Sequence, residues 1–125
     1  MALGVRKRER EGEKEPTRSF SKKQETAIAK AIGGSRQPNS GATPWAKGDV
    51  KNDLFLIEAK TKTTSSEKIT IHKDWIQKNR EEAAFMGKKY QALAFSFGPD
   101  EENFYVIDED MFITLLDYLR ALQEQ

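Results

Sequence analysis

Apolar positions along this chain fall in short bursts, and their spacing switches between the helical three-to-four and the strand-like two. Residues 1 to 18 carry none of it. Their run RKREREGEKEPTR alternates charge without an apolar stripe and reads as a mobile arm. From Ser21 the pattern turns helical. Ile28, Ala29 and Ile32 make one stripe, Gly33-Gly34 a stop, and Ser21 with Gln24 three residues later a capping-box start. Glu25 stands three, four and seven residues before the stripe and so shares its face. As a charge in the first turn it suits the helix dipole, and as a core-side carboxylate it is also a candidate site residue.

Ser35 to Gly48, SRQPNSGATPWAKG, is dense in turn formers and reads as a loop whose Arg36, Ser40 and Lys47 could meet a phosphate. Strands are expected at Lys47–Val50, Asp53–Lys60, Lys68–His72, Tyr90–Phe97 and Phe104–Ile107. In the second of these, Leu54, Leu56, Glu58 and Lys60 share one face and Phe55, Ile57 and Ala59 the other, the mark of a central strand covered on both sides. A helix capped by Asp74 runs to Met86 and stops at Gly87, with Trp75, Ile76, Ala83 and Met86 facing inward. A last helix, capped by Asp108, carries the stripe Met111, Phe112, Leu115, Leu116, Leu119 and Leu122. The order α-β-β-β-α-β-β-α gives an α/β fold, a mixed β-sheet flanked by helices. Residues 19–125 form its single domain.

Composition narrows the chemistry. With no cysteine, a disulfide scaffold, a thiolate zinc site and a cysteine nucleophile are excluded, and one histidine, His72, leaves little for a triad. Catalysis would have to rest on carboxylates, lysines and hydroxyls. The start MALGVRKRER has no apolar h-region and no run is long enough to span a bilayer, so neither a secretory leader nor a membrane partner is expected, and a cytoplasmic setting is. The net charge of +1 conceals a division. From Gly98 onward eight acids face Arg120 alone, whereas residues 1–97 hold twenty bases against twelve acids. Such separation suits a polyanion on one face, or an uneven but solvated surface.

One cluster then stands out. Glu58 and Lys60 leave the same strand face about 7 Å apart. Asp49, on the adjoining hairpin strand, can stand beside Glu58, and Glu25 belongs to a helix packed on the same sheet. A lone Glu-x-Lys is usually a salt-bridged strand end. With Asp49, the apolar strand and Glu25 added, the set becomes a hard-oxygen site suited to Mg²⁺ or Mn²⁺, whose charge relieves the repulsion between carboxylates. The chemistry it suits is phosphodiester hydrolysis, with Lys60 orienting the nucleophile or balancing charge in the transition state.

These residues, Gly48-Asp49, eight positions, then Glu58-Ala59-Lys60 behind a glutamate-bearing helix, resemble the PD-(D/E)xK nuclease superfamily with its restriction-endonuclease-like fold and αβββαβ core. More narrowly, NSGA, KGD, LIEAKT and ITIHKDWIQKNREEAAFMGKKYQALAFSF look like Holliday-junction resolvases of the archaeal and phage kind, over roughly Ser21 to Ile107. Gly48 stands where the superfamily pattern has proline. The resemblance implies Asp49 and Glu58 as principal metal ligands, the Ala59 carbonyl as a third, Glu25 as an assisting ligand, Lys60 as the catalytic lysine and Ser40 as a hydroxyl near the scissile phosphate. It also implies Mg²⁺ as cofactor, branched DNA as substrate, a homodimer matched to two symmetric scissile strands, and the cytoplasm of a bacterial or archaeal host. Arg36, Lys47, Lys62 and Lys73 are candidate DNA contacts, Lys62 equally a solvated charge. Other nucleases of the superfamily (nicking, repair or flap) and a non-catalytic nucleic-acid-binding protein on the same fold are the alternatives.

Overall fold

In the computed structural model, residues 19–37 and 49–125 are described. Three helices and five strands follow in chain order: α1 (19–32), β1 (Ser35–Arg36), β2 (Val50–Lys51), β3 (Phe55–Lys60), α2 (Lys73–Phe85), β4 (Tyr90–Phe95), β5 (Phe104–Val106) and α3 (Glu109–Gln123). The strands lie side by side in sequence order as one open mixed sheet. Only β3 and β4 run parallel, from Phe55 beside Tyr90 to Lys60 beside Phe95. A parallel pair needs a crossover, and α2 supplies it.

The order of elements matches the expectation, but by two differences that cancel. Lys68–His72 forms no strand. The alternating Ile69 and Ile71 join no ladder of the sheet and run as irregular chain into α2, since alternation alone does not supply a pairing partner. In its place Ser35–Arg36, expected as loop, pairs with β2. Ser21 caps nothing either, since α1 is already helical at residue 19 and Gln24 is buried. Helix α2 starts at Lys73, with Asp74 in its first turn rather than at its cap.

The helix ends expected at Gly33 and Asp108 hold. Gly33 has φ +64° and the Gly34 N–H donates to the Ala29 carbonyl at 2.8 Å, the six-to-one bond of a Schellman turn. Asn52 Nδ2 satisfies the freed Ile32 carbonyl at 3.0 Å, tying α1 to the β2–β3 turn. At α3, Asp108 accepts the Met111 N–H at 2.9 Å and pairs with Arg80. These two contacts, the N–H first, hold its carboxyl below the usual range.

Side-chain alternation in β3 divides the core as expected. Ile57, with Phe55 and Ala59 beside it, packs with Ile28, Val50, Ala92 and Ala94 under α1. Leu56 and Leu93 take the opposite face, where α2 crosses β3 and β4. Asn79 fastens α2 there by donating to the Ala92 carbonyl at 3.0 Å. The stripe of α3 departs from expectation: Met111 is buried, while Phe112, Leu115, Leu119 and Leu122 stay exposed. No described helix is long and apolar enough to cross a membrane.

Candidate functional site

Strand β2 pairs with β3 only as far as Val50 opposite Ile57, so the last three residues of β3 outrun it. At that point the Asp49 N–H donates to the Ile57 carbonyl at 3.0 Å, while its carboxylate accepts the Ala59 N–H at 2.7 Å. The Asp49 side chain thus closes the edge that the strand itself leaves open. A strand residue sends its C=O to the same edge as its N–H, so the Ala59 carbonyl emerges beside Asp49.

Glu58 and Lys60 leave β3 toward α2, as the alternation requires. Lys60 Nζ stands 3.7 Å from Glu58 Oε1 and 4.2 Å from the centre of the Trp75 ring. An ammonium over an indole is held electrostatically by the ring face, an interaction worth about 0.5–1 kcal/mol where the group is still partly solvated. The concavity in front of this pair has a volume near 230 Å³ and is walled on the α2 side by Asp74, Trp75, Lys78 and Glu82. Burial, then the charge of Asp49, pushes the Glu58 carboxyl up to about 7, against the opposing pull of Lys60. Two carboxylates compressed at one strand end are what a hard cation would relieve.

Glu25 approaches from α1. Arg36 Nε donates to its Oε1 at 3.2 Å, and its carboxyl is raised by burial and by Asp49, with Arg36 opposing. The Asp49 charge therefore acts on both glutamates, one from each side of the sheet end. Among the described residues, however, no three Asp, Glu or His side chains converge tightly enough to hold a metal ion by themselves. The cluster is a carboxylate pair plus a backbone carbonyl, with Glu25 engaged on Arg36.

No family model, curated protein or solved structure matches the chain. The site must stand on its own geometry.

Of the expected site residues, the structure gathers Asp49, Glu58, Ala59 and Lys60 at one strand end and sets Glu25 next to them. Arg36, expected to face DNA, is occupied by Glu25. Lys62 lies half-buried just beyond β3, and Lys73 is exposed at the first turn of α2. Ser40 and Lys47 lie outside the described residues, as does the arm of residues 1–18. Two contributors were not anticipated as such. Trp75, expected as a core residue, covers Lys60. Gln24, expected as a capping partner, reaches the end of β3 instead. Its position four residues before Ile28 put it on the buried side of α1, and that spacing was the available signal.

Proposed function

We propose that this protein is a metal-dependent endodeoxyribonuclease that cuts phosphodiesters in branched DNA, the four-way junction foremost. The observation that carries this reading is the placement of Asp49, held on the Ala59 N–H, close enough to Glu58 for its charge to raise that carboxyl at the open end of β3, with Lys60 paired to Glu58. All donors are oxygens, and one is a carboxyl whose ionisation is opposed by burial and a like charge, a set suited to Mg²⁺ with Mn²⁺ as a substitute. Asp49, Glu58 and the Ala59 carbonyl would hold it, with Glu25 as the assisting carboxylate once drawn from Arg36. When bound, the cation supplies Lewis-acid polarisation of the phosphate and acidifies the attacking water.

The remaining roles fall to the chain. Lys60, restrained by Glu58 below and Trp75 alongside, offers a preorganised positive charge where negative charge gathers on the phosphoryl oxygens. Asp49 keeps its carboxylate aimed through the Ala59 N–H, so the ligand direction is set before any cation arrives. The preference for a four-way junction rests on the resemblance of the KGD and LIEAKT segments to resolvases. A junction with two scissile strands calls for two sites, and a second copy seated on the exposed apolar face of α3 would supply the second one.

The test is substitution. Asp49→Ala, Glu58→Ala and Lys60→Ala should each abolish Mg²⁺-dependent cleavage while junction binding stays within a few-fold. Wild-type cleavage by Asp49→Ala or Glu58→Ala defeats the reading.

A further inference from the structure

Gln24 is a buried polar side chain whose amide is fully engaged away from its own helix. Its Nε2 donates to the Lys60 carbonyl at 3.1 Å and to Asn103 Oδ1 at 3.1 Å, and its Oε1 accepts the Thr61 hydroxyl at 2.8 Å. These partners come from the end of β3, the residue after it, and the residue before β5. Adjacent on α1, Glu25 points to Arg36 near Asp49. Adjacent residues of α1 thus hold the end of β3 through Gln24 and Arg36 of β1 through Glu25.

We propose that Gln24 is a positioning residue for Lys60. Lys60 is the last residue of β3, in register with Phe95 of β4, and its carbonyl beyond that final rung needs an anchor other than a further strand residue. Gln24 supplies it, and Thr61 and Asn103 fix which way the amide faces. The ammonium is then steered at its far end by Glu58 and Trp75, so the lysine is restrained at both backbone and tip. A glutamine in this place suits the task chemically, because it donates to a carbonyl and accepts from a hydroxyl without adding charge beside a carboxylate pair. Displacing a catalytic group by about 1 Å can cost on the order of 100-fold in rate. The inference rests on the nuclease reading for its effect on rate, but its structural content can be measured without activity.

Trp75 and Trp45 are the two tryptophans of the chain. In a Trp45→Phe background, Trp75 emission reports on the ammonium standing over its ring. Gln24→Met keeps side-chain length and removes all three hydrogen bonds. It should shift Trp75 emission in the direction that Lys60→Met does, and lower kcat on a four-way junction about 10- to 100-fold with KM within about twofold. Thr61→Val, which leaves the core intact and only frees the Gln24 amide, should shift emission the same way by less. Should Gln24→Met fail to fold, Thr61→Val decides. Unchanged Trp75 emission in a folded variant overturns the role of Gln24. Wild-type turnover by Lys60→Met overturns the nuclease reading instead, and leaves the emission result to judge Gln24 separately.

Discussion

The Asp49 carboxylate accepts the Ala59 N–H at 2.7 Å, across the gap where β2 stops pairing with β3. This contact gives Asp49 two separable duties, closing a sheet edge and presenting a carboxylate to a cation. Asp49→Asn keeps an oxygen for the N–H and loses the charge. It should fold with a melting temperature within a few degrees of wild type yet lack Mg²⁺-dependent cleavage. Asp49→Ala should lose cleavage and also about 1 kcal/mol of stability, because the half-buried Ala59 N–H loses its partner. Equal melting temperatures for the two variants would remove the structural duty.

Glu58 is a strained charge. Its carboxyl titrates near 7 because of burial and Asp49. Between the ordinary carboxylate range and that value, the folded chain keeps a proton that the unfolded chain has released. Stability therefore falls as pH rises through that window and is flat above it, by roughly 3 kcal/mol at most. Glu58→Gln should accordingly be inactive but more stable than wild type at pH 8, with the advantage fading toward pH 5. Denaturant titrations at the two pH values check this, and a less stable Glu58→Gln at pH 8 contradicts it.

The same proton competes with a cation. Cleavage at subsaturating Mg²⁺ should rise across pH 6 to 8 as Glu58 ionises, and Mg²⁺ should raise the melting temperature more at pH 8 than at pH 6. A Mg²⁺-dependent thermal shift independent of pH would place the ion away from Glu58.

The exposed stripe of α3 predicts association. Leu119 is 57% exposed and Phe112 56%, in the same helix face as Leu115 and Leu122. If a second copy covers that face, Leu119→Glu should convert a dimer to monomer in analytical ultracentrifugation while leaving the monomer folded. A wild-type monomer at high micromolar concentration contradicts this.

How much of this was legible beforehand follows from what each residue touches. Strand β3 and its division into Ile57 and Glu58 faces were readable because alternation depends on the strand alone. Gly33, Gly87 and Asp108 announced helix ends by local chemistry. Lys68–His72 has the same alternation and forms no strand, since alternation alone does not supply a ladder partner. Ser35–Arg36 pairs despite its loop-like composition because two residues against β2 need little propensity. Gln24 looked like a cap because its nearest serine was three residues away; its true partners lie 36, 37 and 79 residues on. Asp49, Glu58 and Lys60 were visible as a spacing, but the raised Glu58 carboxyl and the Trp75 cover came only with the packing of α2.

The central claim is best tested with the purified protein on a four-way junction, a flap, a plain duplex and a single strand of matched sequence, each with Mg²⁺ or EDTA. Paired symmetric nicks in the junction with Mg²⁺, none with EDTA and none by Asp49→Asn are the predicted result. Cleavage that persists in EDTA or in Asp49→Asn, or the absence of cleavage of every substrate with Mg²⁺, would contradict it.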